Sequence, residues 1–362
     1  MHIADITMFY AARSGGIRRY LDVKHAWLQQ RAHRHTLVVP DCNGCVADAA
    51  TLALPSVPLP LSDDYRIPVG IRRAARAIVR LRPQIIEAGD PYHLAWAALS
   101  ARDQLGARAI AFCHSDVPRL VGGRYGGRAE RWAARYFRRL YREFDMVLAP
   151  SAFLVRKLQR LGLARVAQQP LGVDTGVFHP ARRCAELRAS LARERDARLL
   201  VYAGRFAPEK NLDVVFDAVR ALGRPYELLL VGAGTLAGPI PDNARVVPFE
   251  AQRERLAAIL ASCDAFVHAG DQETFGLAAL EAMACGLPVV GVTEAGIAEI
   301  VTPDCGVLVA PRDAAAFAAG IDALFRSDVE TMGKAARAVA ERYAWQPLLE
   351  QMLRRYRDLA ES

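Results

Sequence analysis

The chain has 362 residues and a mass of 39.6 kDa, with 52% hydrophobic and 24% charged residues. That length predicts two domains with sizeable cores, and the balance excludes a mostly disordered chain, a collagen and a disulfide mini-protein. The net charge of +8 and pI of about 9.3 favour anionic partners, such as nucleotide phosphates, nucleic acid or an acidic membrane surface.

The N-terminal MHIADITMFY lacks the basic-then-apolar pattern of a secretory signal. No apolar run approaches the ~18 residues of a membrane span. A cytoplasmic protein is therefore expected. Lys stands only at 24, 157, 210 and 334, and the other basic residues are Arg; coding bias explains this excess as readily as function does. Cys42 and Cys45 form a C-x-x-C without a second pair at zinc-finger spacing, so it reads as incidental and no metal site is expected. Cys113, Cys263 and Cys285 sit in apolar runs and read as buried thiols.

In chain order the first half offers strands at 2–7, 35–40, 84–89, 109–114 and 145–150. The second half offers them at 198–204, 227–234, 245–249, 264–269 and 287–292. These runs are apolar throughout rather than alternating, as parallel strands covered on both faces are. Helical patterns fall between most of them, which predicts a doubly wound α/β architecture. The Pro-, Gly- and Asp-bearing stretch 168–183 reads as a linker. The predicted division is an N-terminal Rossmann-like acceptor-binding domain over 1–175, a C-terminal Rossmann-like nucleotide-sugar domain over 176–345, and a helix over 346–362 with no strand after it, which is free to pack on either domain, a crossing back to the first included. Ligands of such sheets bind at the carboxyl ends of the strands, here expected in an interdomain cleft. Glycines cluster at those ends: Gly15 and Gly16, Gly204, Gly232 and Gly234.

The most informative stretch is DQETFGLAALEAMACGLPVVG (271–291). A helix is predicted to begin near Phe275-Gly276 and to stop at Gly286, with Pro288 beyond. Its first turn exposes unpaired N–H groups at the positive end of the dipole, and Gly276 admits an anion close to the backbone, which makes a phosphate seat. Glu281 lies about 7.5 Å further along the axis, where a carboxylate can accept from both ribose hydroxyls. Glu273 precedes the helix, beyond the phosphates, where a sugar would lie. The plainer alternative is a capped core helix with two solvated glutamates. In AGRFAPEKNLDVV (203–215), Arg205 and Lys210 supply two cations at a strand end, suited to neutralising a diphosphate.

ETFGLAALE matches the E-x7-E signature of the retaining glycosyltransferases of family 4. GRFAPEKN, PLGVDTGVFHP and SGGIRRY also resemble that family's segments, in the family's order. The chain is thus similar to phosphatidylinositol mannosyltransferase-like and related nucleotide-sugar enzymes. The resemblance implies a GT-B fold of two Rossmann-like domains, a nucleotide-diphosphate sugar as substrate rather than cofactor, and no metal. It implies that Arg205 and Lys210 hold the diphosphate, Glu281 the ribose and Glu273 the sugar hydroxyls. The backbone of Phe275, Gly276 and Leu277 would meet phosphate and sugar. Gly15 and Gly16 would form the loop beside the phosphate, and His114 occupies the place of the active-site histidine. One departure is that similar sequences often carry a double glycine near VTEAGIAEIV, where this chain has only Gly296 after Ala295, which questions a tight turn there.

The implied reaction is metal-independent, front-face transfer of a hexose from GDP-mannose or a UDP-hexose to a lipid or glycan acceptor. Two basic helices are candidate membrane contacts, and some family relatives use such surfaces at anionic lipid. Over 128–144, Arg131, Arg135 and Arg138 share an arc of about 100° with Arg128 and Arg142, beside an apolar side from Trp132 to Phe144. Over 71–82, Arg72, Arg73, Arg76 and Arg80 share one face. The plain alternative is a solvated face over a core face. Localisation at the inner face of the cell membrane would follow from the first reading.

No G-x-x-x-x-G-K-[ST], G-x-S-x-G, H-E-x-x-H or D-x-D occurs, and no nucleic-acid reader module appears, so nucleic acid is not an expected partner. Two alternatives remain. One is a catalytically silent sugar-nucleotide-binding protein. The other is an NAD-dependent oxidoreductase built on Gly232-Ala-Gly234 and Glu250; Pro239 and Pro241 count against it by leaving little room for the required helix.

Overall fold

The structure is a computed structural model that describes residues 1–11, 15–41, 50–59, 65–236 and 238–362. The Cys42–Cys45 pair lies outside the described residues. The elements of the first half are β1 (His2–Ile6), α1 (Gly16–Gln29), β2 (Arg34–Pro40), β3 (Thr51–Leu54), β4 (Ser56–Pro58), β5 (Arg66–Pro68), α2 (Ile71–Leu81), β6 (Ile85–Ala88), α3 (His93–Leu105), β7 (Arg108–Phe112), α4 (Val117–Tyr125), α5 (Gly127–Arg142), β8 (Met146–Ala149), α6 (Ala152–Arg160) and β9 (Val166–Gln168). The second half continues with α7 (Ala185–Leu191), β10 (Arg198–Ala203), α8 (Leu212–Leu222), β11 (Tyr226–Gly232), β12 (Ala244–Pro248), α9 (Arg253–Ala261), β13 (Ala265–Val267), α10 (Leu277–Ala284), β14 (Val289–Val292), β15 (Gly306–Val309), α11 (Ala314–Arg326), α12 (Val329–Glu341) and α13 (Trp345–Glu361).

Two compact units result, one of residues 1–170 with 346–362, the other of residues 171–345. The first passage of the chain between them falls inside the predicted linker. The first unit holds a parallel seven-stranded sheet in the order β3-β2-β1-β6-β7-β8-β9, and the second a parallel six-stranded sheet in the order β12-β11-β10-β13-β14-β15. Unbroken apolar strands are what such sheets require, because helices cover both faces. Leu228, Leu229 and Leu230 in β11 are each 0% exposed. Truncating one of them to Ala costs about 2–5 kcal/mol.

The strands absent from the sequence reading are β3, β4, β5, β9 and β15. Each has only three or four residues, several of them half-buried, so none makes an apolar run long enough to register. Strands β4 and β5 form a separate antiparallel pair outside the parallel sheet.

Helix α13 packs on the first unit through a buried polar cluster. The three N–H donors of Lys24 meet Asp5 Oδ1 at 2.8 Å, Glu87 Oε1 at 3.0 Å and the Tyr356 hydroxyl at 2.8 Å. Tyr356 donates to the other Glu87 oxygen, and Tyr20 donates to Glu87 Oε1 at 2.9 Å. His35 Nε2 lies 2.9 Å from Asp5 Oδ2. Burial alone would raise the Asp5 carboxyl, but Lys24 and His35 outweigh it and hold it at about 2. An ammonium with every donor satisfied tolerates full burial; the same ammonium unpaired would not.

Candidate active site

The site in the second unit starts at the carboxyl end of β10. Gly204 N–H donates to Val231 O at 3.0 Å and Phe206 N–H to Ala233 O at 2.8 Å, so the Arg205 loop is laced to the end of β11. A Cβ on Gly232 would stand 1.9 Å from Gly204 O, and one on Gly234 would stand 2.2 Å from Phe206 O. These glycines therefore exist for backbone approach between two strand ends. Among the described residues no helix lies between β11 and β12, which removes the oxidoreductase alternative. Arg205 is exposed and pairs with Glu209 at 2.8 Å. An exposed pair contributes about 0–1 kcal/mol, so an anionic ligand displaces it at small cost.

Lys210 ends the 3₁₀ turn Pro208–Lys210, and its Nζ donates to Glu273 Oε2 at 2.6 Å. Asn211, with φ of +47°, donates from its side chain to Ala269 O at 3.1 Å and ties this turn to the segment after β13. Burial would raise the Glu273 carboxyl, but Lys210, then His268 and the Gly276 N–H, hold it at about 2. Glu273 is therefore a carboxylate, an acceptor for hydroxyls. The pairing of Lys210 with Glu273 brings together the two informative segments of the sequence.

Gly276, with φ of +99°, caps α10, and Gly286, with φ of +81°, follows its end. The first N–H groups of such a helix lack intrahelical partners. Phe275 is buried and Leu277 half-buried, while Glu281 is 4% exposed, so it is not the solvated glutamate of the plainer alternative. Gly296 N–H donates to Glu273 O at 2.7 Å, and a Cβ at Gly296 would stand 2.3 Å from Thr274 O. Ala295 is extended, with φ of −136° and ψ of 170°. The close approach questioned by the single glycine is thus made by Gly296 alone, and residue 295 needs no glycine.

In the first unit, Gly15 precedes α1 and Gly16 begins it; a Cβ at Gly15 would meet nothing within 4 Å among the described residues. His114 follows β7, its ring stacked on Phe112 at 4.1 Å and tilted against Tyr20 at 5.5 Å. Burial, then Lys24, pushes the imidazole down to about 3, so it is neutral near pH 7.

Arg72, Arg73, Arg76 and Arg80 on α2, and Arg131, Arg135 and Arg138 on α5, are all exposed. Phe137, Leu140, Tyr141 and Phe144 are buried, as the amphipathic pattern requires. Trp132 departs from that pattern: it is 71% exposed, with Tyr125 at 68% nearby in sequence. Val69 and Ile71 likewise stand exposed at the start of α2. Among the described residues no helix is long and apolar enough to cross a membrane.

Sequence reasoning passed over His268, Asp271 and Arg312. Arg312 Nε donates to buried Asp271 Oδ2 at 2.9 Å, tying the loop after β15 to the loop that carries Glu273. Nothing in the spacing of Asp271 and Arg312 announces that contact. His268 sits one residue past β13 in the apolar run AFVHAG, where a histidine reads as filler.

Comparison with known proteins identifies the family and the fold. Residues 14–177 match the family described as Glycosyltransferase Family 4, and residues 185–342 match Glycosyl transferases group 1. A GDP-mannose-dependent alpha-(1-6)-phosphatidylinositol dimannoside mannosyltransferase of Mycobacterium tuberculosis is 30% identical, covering 98% of this chain and 95% of its own. The sucrose-phosphate synthase of Thermosynechococcus elongatus superposes with a TM-score of 0.84 at 22% identity over 100% of both chains. Anabaena HepE in complex with UDP-glucose superposes with a TM-score of 0.78 at 17% identity, covering 99% of this chain and 100% of its own. The chain belongs to the family 4 glycosyltransferases, with the GT-B fold, and is a glycosyltransferase enzyme.

Proposed function

We propose that this enzyme transfers mannose from GDP-mannose, or a hexose from a UDP-sugar, to a lipid or glycan acceptor with retention of anomeric configuration and without a metal ion. The observation that carries the reading is the Lys210–Glu273 pair at 2.6 Å in front of the glycine-capped helix that bears Glu281. The naming of the Mycobacterium tuberculosis relative supports the GDP-mannose choice and a phosphoinositide-type lipid acceptor.

In the reaction the bond from the anomeric carbon to the β-phosphate oxygen breaks, and its electron pair stays on that oxygen. Arg205, Lys210 and the N-terminal amides of α10 balance the charge developing on the diphosphate. Glu281 accepts from the ribose hydroxyls, and Glu273, ionised well below neutral pH, accepts from the sugar hydroxyls. The acceptor oxygen bonds the anomeric carbon on the face the diphosphate leaves, and its proton passes to the departing phosphate oxygen. His114, at the place of the family's active-site histidine, is kept neutral by burial. The exposed Arg faces of α2 and α5, with Trp132, suit an anionic lipid surface at the inner face of the cell membrane.

The test is a screen for nucleoside diphosphate release with GDP-mannose, UDP-glucose and UDP-galactose, with and without lipid extract and with added chelator. Release from one donor, raised by lipid and unaffected by chelator, is expected. Release from none of them in the presence of lipid contradicts the reading, and folded Glu273→Gln with near-normal turnover contradicts the role of Glu273.

A further inference from the structure

The Glu273 carboxylate has a second nitrogen beside it. His268 Nε2 lies 3.6 Å from Glu273 Oε2, the oxygen that Lys210 already engages. The imidazole is 4% exposed, and its Nε2 is buried without a hydrogen-bond partner among the described residues. Its position is fixed from several directions. The backbone N–H of His268 donates to Val290 O at 2.9 Å, and the ring stacks against Tyr202 at 5.9 Å with an interplanar angle of 9°. A Cβ on Gly270 would come within 2.9 Å of Nε2, so the chain narrows to glycine where it passes this nitrogen. A buried polar atom left 3.6 Å from a carboxylate is a cost unless it serves some other state of the site.

Lys210 has two claims on it. Here it faces Glu273, but a bound diphosphate carries more charge than one carboxylate and competes for the ammonium. When Lys210 turns to phosphate, Glu273 loses its nearest cation while it must still hold a sugar. We propose that His268 is a positioning residue for that state: its Nε2–H closes onto Glu273 Oε2 as Lys210 turns away, and keeps the carboxylate ionised and aimed at the sugar hydroxyls. The inference rests on the glycosyltransferase role given to Glu273 above. The tautomer follows from the neighbour, since a nitrogen lone pair directed at a carboxylate repels it, whereas an N–H attracts it. Burial, then Lys210, lowers the imidazole to about 4, so it acts as a neutral donor and not as a general acid.

His268→Gln keeps an N–H donor near the position of Nε2, His268→Leu keeps bulk without a donor, and His268→Asn has a donor too short to reach. Each is compared with the intact enzyme in donor turnover from about pH 5 to about pH 9, and in calorimetric binding of GDP or UDP. His268→Leu should lower kcat about tenfold or more and move the acid limb of kcat, which reports the donor-bound enzyme, up by about one pH unit. Its affinity for the nucleoside diphosphate, whose binding also draws Lys210 from Glu273, should fall by less than the turnover does, because no sugar is there to be held. His268→Gln should recover most of the loss. If His268→Leu does not fold, the Gln and Asn variants carry the comparison, with Gln active and Asn impaired. Wild-type kcat and acid limb in His268→Leu, or equal impairment in Gln and Asn, overturns the inference and leaves the transferase reading intact. An unmutated enzyme that binds neither nucleotide and turns over no donor overturns both.

Discussion

Lys210 donates to Glu273 at 2.6 Å across 63 positions of sequence, and this one ion pair joins the strand-end loop after β10 to the helix-start loop after β13. Both side chains are about one-fifth exposed, so the pair is open enough to exchange partners with a ligand. Lys210→Met should weaken nucleoside diphosphate binding about 10- to 100-fold, the effect of losing one charge-assisted contact of about 1.5–3 kcal/mol. Titration calorimetry checks it, and unchanged affinity would remove Lys210 from the site.

Acid should destabilise the fold well above the usual carboxylate range. His268 and His114 titrate at about 4 and about 3 in the folded protein against an ordinary 6.5, held down first by burial and then by the ammonium beside each. The unfolded chain takes up these protons near pH 6.5 and the folded chain refuses them. The stability they contribute is therefore full above that pH and drains away as pH falls through 4 towards 3. Asp5, at about 2 in the folded protein against 3.8, extends the same trend to lower pH. Thermal melts at pH 7, 6, 5 and 4 should show a falling Tm, with a shallower fall in His268→Leu. A flat Tm over that range contradicts the burial of the two imidazoles.

The Lys24 cluster gives a prediction about α13. Lys24→Met leaves the buried Asp5 and Glu87 carboxyl groups without their ammonium, and should cost about 3–5 kcal/mol. Tyr356→Phe removes one donor to Glu87 and one acceptor for Lys24, and should cost about 1–3 kcal/mol. Chemical denaturation measures both, and hydrogen exchange should find α13 the element most loosened by Tyr356→Phe.

Two glycines and an alanine separate backbone need from family habit. Gly232→Ala and Gly296→Ala would each place a Cβ within 2.3 Å of a backbone oxygen, Gly204 O and Thr274 O respectively. Each should lower Tm and cut donor turnover at least about tenfold, because the carbonyl it displaces belongs to a loop that the proposed function assigns to the donor. Ala295→Gly, which restores the family's double glycine, should leave turnover within about twofold, since residue 295 is already extended.

The membrane reading turns on α5. Reversing Arg131, Arg135 and Arg138 to Glu should abolish flotation with vesicles containing acidic phospholipid and should slow turnover on a lipid acceptor. Trp132→Ala should weaken flotation while leaving its salt dependence in place, because a ring 71% exposed contributes area rather than charge. Flotation unchanged in the triple variant would assign these arginines to solvent.

What the sequence disclosed was set by how far each signal reaches along the chain. The long apolar strands β10 and β11 are legible because parallel sheets demand unbroken hydrophobic runs. The strands β9 and β15 are not, being short and only partly covered. Glu273, Gly276 and Glu281 lie close together in sequence around one helix start, so their spacing carries their chemistry. The Lys210–Glu273 and Lys24–Tyr356 contacts span 63 and 332 positions, and only the folded chain brings them together. The glycines at 232 and 234 read as part of a glycine cluster at the strand ends, and the close approach of two strand ends that they permit appears only in the fold. His268 was hidden because a strand's last apolar residues and a site's first polar one look alike in a single sequence.

The proposed function requires that Arg205, Lys210 and the start of α10 grip a nucleoside diphosphate. Its most direct test is titration calorimetry of GDP and UDP into the full-length protein and into an Arg205→Met, Lys210→Met double variant of equal thermal stability. The wild type should bind at least one nucleotide, and the variant should bind it at least about 100-fold more weakly. Absence of binding to both nucleotides, or equal affinity in the two proteins, contradicts it.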